Sequence, residues 1–299
     1  TSSANVDVAS TTNLFVTQMN ADGTLAYFQT MPLLKSDASP AVSGLGIVTG
    51  DNRPTSISHL QGHSLALAFD MNATAGSPIA LYIKGEIARP ATGSGVQIGA
   101  NAASYFDVSA ASGRWGFVSK VVYRENPAPL SSETRWTWEW LTPVSSVRGS
   151  TDSTSITQIK VDAAQGLNSP VYLAGYWSGT LSDGSTTTPS AQGARTGFVE
   201  KLQANDGQRN FLVTVGGDSM VNALAVSDAG DLMVAGGVAR INEAQTALAF
   251  RSASGNSTVQ VTPSWQSHPR LSPHYKHQAV VAKLDAQGEW QWATLLGGT

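Results

Sequence analysis

The sequence predicts an all-β protein assembled from repeated antiparallel strand pairs, and three observations carry that reading. A strand–turn–strand pattern recurs four times along the 299 residues. It is sharpest at the end, where Ala279-Val-Val-Ala-Lys-Leu-Asp-Ala-Gln-Gly-Glu-Trp-Gln-Trp-Ala-Thr-Leu-Leu-Gly-Gly-Thr299 reads as strand, tight turn and strand. Gly197–Gly207 followed by Phe211–Gly217 repeats it, as does Leu14–Gly23 followed by Leu25–Phe28. A looser copy is Gly116–Val122 followed by Arg135–Trp140. A recurring period outranks any single residue as evidence of architecture. Second, strand-like runs return about every ten residues between Gly-, Asn- and Asp-rich turns, without a convincing helical stripe. Third, 29 Gly and a charged share of only 13% fit a turn-rich β protein.

Taken in order, Thr1–Thr12 is polar and aperiodic. Leu14–Met19 and Leu25–Thr30 form the first pair across Asn20-Ala-Asp-Gly23, a hairpin turn in which glycine supplies the positive φ. Pro32–Gly62 reads as a long connection. Ser64–Asp70 and Pro78–Gly85 follow, then the loop-like stretch Ile87–Gly113. Trp115–Tyr123 and Arg135–Leu141 come next, the latter expected to place Trp136, Trp138 and Trp140 on one face. The cleanest set is Ser155–Asp162, Pro170–Trp177, Phe198–Leu202 and Phe211–Val215, with Ser178–Thr196 as a loop. Val221–Val226 and Leu232–Gly236 begin another set, separated from the closing pair by Val238–Gln278. Within that last segment Ile241–Phe250 has room for a helical turn.

Four strands, A to D, thus make one unit. Units are expected at 64–141, 155–215 and 221–296, preceded by an isolated C–D pair at 13–30. Such units read as the four-stranded antiparallel blades of a β-propeller, about three and a half of them, in a single domain over 1–299 or a segment of a larger one. In that geometry the A–B and C–D turns share one face. The long segments 31–63, 87–114, 178–196 and 238–278 then crowd the other, where an interaction surface is expected.

At Val171-Tyr-Leu-Ala-Gly-Tyr-Trp-Ser-Gly-Thr-Leu181, at Gly197-Phe-Val-Glu-Lys-Leu202 and at Val280–Gly298, the chain resembles the bacterial SBBP-type β-propeller repeat proteins. The resemblance covers 155–236 and 279–299 well, and 13–30 and 64–141 only loosely. It implies a propeller in a large secreted or surface-attached bacterial protein. It implies no activity and no catalytic residues. Longer loops, and an N-terminal pair without its A and B strands, depart from the pattern. They imply a segment of a longer propeller, open edges completed by another chain or a surface polymer, or irregular strands supplied by Thr1–Thr12 and Pro32–Gly62.

Bulk properties exclude several classes. A net charge of −3 offers no basic field for nucleic acid or anionic lipid. Cysteine is absent, which removes disulfides, thiolate metal sites and a cysteine nucleophile. No apolar run reaches the ~20 residues of a membrane span. The low charge and the Ser/Thr/Gly excess favour an extracellular or cell-surface protein, secreted after processing.

No catalytic constellation is evident: there is no Gly-x-Ser-x-Gly elbow and no carboxylate pair with glycosidase character. The chain is therefore read as non-enzymatic and without a cofactor, a structural or adhesive module. A carbohydrate-binding or carbohydrate-active propeller is the alternative. The residues favoured for contact with a ligand or partner are Tyr176, Trp177 and Trp265, placed at loop edges, and His268, His274 and His277 on one loop. Three imidazoles invite a metal. Their spacing matches no closed site, and Arg270 and Lys276 stand among them, so no metal is assigned. The Asp-Gly pairs at 22–23 and 206–207 are read as turn chemistry rather than calcium loops, which need six or more oxygens. The tryptophans at 136, 138, 140, 290 and 292 are read as packing between blades.

Overall fold

The computed structural model describes residues 15–19, 21–30, 45–49, 60–68, 79–88, 94–98, 105–107, 114–123, 136–147, 154–182, 194–239, 247–255, 258–262 and 277–296. These are all-β apart from a short 3-10 segment at Ala163–Asn168. In chain order the strands are β1 (Phe15–Met19), β2 (Leu25–Thr30), β3 (Leu45–Thr49), β4 (Leu60–Ala68), β5 (Ile79–Ala88), β6 (Ser94–Ile98), β7 (Tyr105–Asp107), β8 (Arg114–Tyr123), β9 (Trp136–Val147), β10 (Thr154–Val161), β11 (Val171–Trp177), β12 (Thr180–Ser182), β13 (Thr196–Leu202), β14 (Arg209–Val215), β15 (Asp218–Val226), β16 (Leu232–Ala239), β17 (Leu248–Arg251), β18 (Thr258–Val261), β19 (His277–Leu284) and β20 (Trp290–Leu296).

Three sheets have a four-strand antiparallel meander at their heart. The first is β4-β5-β8-β9, the second β10-β11-β13-β14 and the third β15-β16-β19-β20. Hairpin β1–β2 is a two-stranded sheet of its own, and β3-β6-β7 is a small third-party sheet. The segments 178–196 and 238–278, expected as loops, do more than connect. β12 adds to the outer edge of β9, and β17 with β18 adds to the outer edge of β14. An edge strand offers unpaired backbone groups, and the insertion within each unit satisfies those of the unit before it. The room for a helical turn at 241–250 is not used over 248–250, which is strand.

One bulge is repeated in all three meanders. His63, Thr157 and Asn222 are each the extra residue in the first strand, and the neighbouring pairs are Gly62 with Gly85, Ile156 with Gly175, and Val221 with Gly236. The glycines have a steric cause. A Cβ on Gly175 would lie 2.0 Å from the Ser155 carbonyl oxygen, and one on Gly236 would lie 2.1 Å from that of Met220. The extra residue tips a carbonyl over the neighbouring strand, and only glycine leaves it room.

The sheets stack face to face. Tyr82, Val118 and Trp140 of the first pack on Ile156, Leu173, Trp177 and Phe198 of the second. The opposite face of the second carries Tyr172, Val199, Phe211 and Val213, which meet Val221, Leu232, Val234 and Leu284 of the third. Strand β11 is therefore buried on both faces. That is why Val-Tyr-Leu-Ala-Gly reads as continuous rather than alternating apolar sequence. Polar groups stitch the stack at the bulges. Lys84 Nζ donates to the carbonyls of Ile156 and Thr157, 2.7 and 2.6 Å away, and Thr157 Oγ1 lies within donating distance of the Val221 carbonyl. In both interfaces a side chain from one sheet caps the carbonyl that the bulge frees in the next.

A second bulge corrects the expected tryptophan ladders. Lys120 pairs with Trp140 but Val121 with Trp138, so the register slips at Glu139 and interrupts the alternation from Trp136 to Trp140. Likewise Leu284 pairs with Trp290 and Lys283 with Trp292. Trp290 is consequently buried, edge-on to Phe250, whereas Trp292 is 41% exposed on the other face.

Candidate interaction surface

Each inter-sheet contact is built around a lysine on the third strand of its meander. In the first sheet Lys120 lies opposite Tyr82 on one side and Trp140 on the other. In the second, Lys201 lies between Tyr172 and Phe211 at the same register. Each ammonium sits against aromatic faces: Lys120 Nζ is 5.9 Å from the Tyr82 ring centre, and Lys201 Nζ is 5.4 and 5.8 Å from those of Tyr172 and Phe211.

Each lysine then reaches the same feature of the following sheet, the turn between its third and fourth strands. Lys120 Nζ donates to the Ala204 carbonyl at 2.8 Å, which also accepts from Trp140 Nε1 at 3.0 Å. Lys201 Nζ donates to the Ala286 carbonyl at 3.0 Å. Lys120 also pairs with Glu139 at 2.9 Å. The turn glycines complete the fit. A Cβ on Gly207 would stand 2.5 Å from Trp140, and one on Gly288 would stand 2.9 Å from Phe211. Burial holds the Tyr172 hydroxyl proton, raising its pKa to about 12, with the Asp162 charge adding to the effect. Burial also lowers the Lys201 pKa, against the same Asp162 charge.

The third sheet carries the same corner without a cover. Lys283 lies opposite Met233 and Trp292, at the positions that Tyr172 and Phe211 hold around Lys201. Its Nζ is turned to Asp231, 2.7 Å away, and both side chains are about one-third exposed. Met233, Trp292 and Leu296 are 40, 41 and 51% exposed, the large apolar side chains most open to solvent among the described residues. Ala223, Ala225 and Ala279 extend this face, and Asn222, at the register of Thr157, is exposed beside them. Among the described residues it is an apolar face with one cation, bounded by β20 as the last strand of its sheet, and is suited to a protein surface.

The residues favoured from sequence do not assemble into one site. Tyr176 is half-buried and carries the Arg195 guanidinium 5.5 Å from its ring centre. Arg195 in turn meets Asp218 of the third sheet, with its Nε 3.6 Å from Oδ1. Tyr176 therefore helps join two sheets. Trp177 is a correction: it is fully buried, 5.8 Å from the Phe198 ring, and points away from any exposed contact. Trp177 closes β11, and its side chain follows the strand alternation into the core. His277 opens β19 opposite Ala239. Trp265, His268 and His274 lie outside the described residues. Among the described residues no group of three or more His, Cys, Asp or Glu is close enough to hold an ion. The turn aspartates act locally: Asp22, Asp206 and Asp285 each accept from a backbone N–H two residues on.

Lys283 and Trp292 were not selected from sequence as a contact. The available signal was the recurrence of lysine at 120, 201 and 283, each paired with an aromatic early in the next strand. Compared with known proteins, the chain matches no family model, and no curated protein is significantly similar to it.

Proposed function

We propose that this chain is a non-enzymatic scaffold of propeller-type repeats, akin to the bacterial SBBP-type proteins and working outside the cell. Its task is protein assembly or adhesion through the outer face of its third sheet. One observation carries the reading: that face repeats, at the same register, the lysine and its fourth-strand aromatic from the two faces that already make sheet–sheet contacts inside the chain. The weakly charged, Ser/Thr/Gly-rich composition agrees with a secreted protein. The carbohydrate alternative needs several exposed aromatics beside carboxylates. Trp140 and Trp290 are instead buried, with their indole N–H groups bonded to backbone carbonyls.

Affinity electrophoresis through gels containing soluble polysaccharides separates the two. Assembly predicts unchanged mobility. A retardation that Trp292→Ala abolishes would replace it with carbohydrate recognition.

A further inference from the structure

The structure leaves two halves of one contact unsatisfied. The first is the Lys283–Trp292 corner, whose two counterparts each receive a turn from a following sheet. The second is the turn of hairpin β1–β2. Its sequence, Asn20-Ala-Asp-Gly23, belongs with Gln203-Ala-Asn-Asp-Gly207 and Asp285-Ala-Gln-Gly288. Asp22 Oδ1 accepts from Thr24 N as Asp206 Oδ1 does from Gln208 N. Gly23, Gly207 and Gly288 share positive φ values of 81, 70 and 88°. Yet a Cβ on Gly23 would meet nothing within 4 Å, where the other two would strike Trp140 and Phe211. The hairpin also belongs to no larger sheet among the described residues, and an isolated two-stranded hairpin is marginal in water.

We infer that the β1–β2 turn of a second copy of this chain seats on the third sheet. Gly23 lies over Trp292, and the Ala21 carbonyl accepts from Lys283 Nζ, which turns away from Asp231. The contact continues the pattern of the two internal interfaces. It is assigned to a second copy because Met233, Trp292 and Leu296 are exposed and, among the described residues, the hairpin joins no other sheet. Turn and seat are different segments of the chain, so the association is head-to-tail and closes a ring or grows a filament. The inference rests on the assembly reading and names its partner.

Two substitutions address the two halves. Gly23→Asn keeps a residue that tolerates positive φ but adds a side chain where Gly207 and Gly288 admit none. Trp292→Glu places a charge on the seat. Sedimentation velocity over about a hundredfold concentration range should show wild type growing beyond the 31.2 kDa monomer. Both variants should stay monomeric with unchanged circular dichroism. A wild type that is monomeric throughout overturns the inference. So does an association lost in Trp292→Glu but kept in Gly23→Asn, which would leave the face an assembly surface for a different segment. A monomer whose Trp292 emission shifts red only on Gly23→Asn overturns it too, placing the hairpin on its own chain.

Discussion

Gly236→Ala should be among the most damaging single-methyl additions this protein can suffer, while the same change one residue later should be harmless. The new Cβ at 236 would lie 2.1 Å from the Met220 carbonyl oxygen and 3.0 Å from Val221 Cα. Ordinary contact requires that gap to open by roughly 1 Å. The carbonyl cannot retreat freely, because it belongs to the bulge that sets the β15–β16 register. Overpacking of this kind costs about 1–3 kcal/mol, and backbone rather than side-chain resistance puts it at the upper end. The reduced freedom of the unfolded chain returns only about 0.4–1 kcal/mol. A net loss of about 2 kcal/mol follows. At Gly237 an added Cβ meets nothing within 4 Å, so only the small unfolded-state gain remains. Urea denaturation followed by tryptophan fluorescence gives the comparison. With a slope of about 1–3 kcal/mol/M, Gly236→Ala should lower the midpoint by about 1 M and Gly237→Ala should leave it level or slightly raised. Equal midpoints for the two variants would refute the bulge argument.

Other expectations follow from the same geometry. Lys201→Met removes a charged donor from the Ala286 carbonyl between packed sheets and should cost about 1.5–3 kcal/mol in chemical denaturation. Lys283→Met breaks only a half-open ion pair and should cost less than about 1 kcal/mol. Trp177→Ala empties a fully buried site and should cost about 3–5 kcal/mol, a loss that a surface contact residue would not show. Stability should also fall in alkali. The Tyr172 pKa rises from 10.0 unfolded to about 12 folded, so the folded state holds the proton that the unfolded state releases between those values, and the stabilisation present below pH 10 drains away across that window. Burial raises Tyr82 in the same direction, whereas the lowered Lys201 opposes both. Tyr172→Phe should shift the alkaline unfolding midpoint upward in a circular dichroism titration.

The all-β class and the strand order of each meander were legible because alternation, turn chemistry and repetition agreed. The Asp-Gly turns announced their hairpins, and Phe198–Leu202 with Phe211–Val215 fell where expected. Bulges were not legible. Nothing in Trp-Thr-Trp-Glu-Trp says that Glu139 is the extra residue, and one such slip reverses the faces beyond it. Strands β12 and β17 were also hidden, since Thr180–Ser182 and Leu248–Arg251 are too short to stand out and are strands only because β9 and β14 offer open edges. Trp177 misled for a related reason: its place near a loop predicts exposure, but on a strand packed from both sides neither face leads to solvent. The Lys–aromatic corners lay in plain view. Their meaning required the register that places Lys201 beside Phe211 and Lys283 beside Trp292.

If the outer face of the third sheet is a seat, it should accept one more unit of the same kind. Gly216-Gly217 joins the second sheet to Asp218, and Gly297-Gly298 stands at the corresponding place after β20. A second copy of residues 218–296 appended after Gly298 supplies that unit. In the Gly23→Asn background, where the seat starts uncovered, the emission of the original Trp292, read as the difference from the same chain carrying Trp292→Phe, should move to the blue as the new sheet covers it, with one cooperative unfolding transition at a higher temperature than without the added unit. Unchanged Trp292 emission, with the added unit unfolding separately or remaining unfolded, would contradict it.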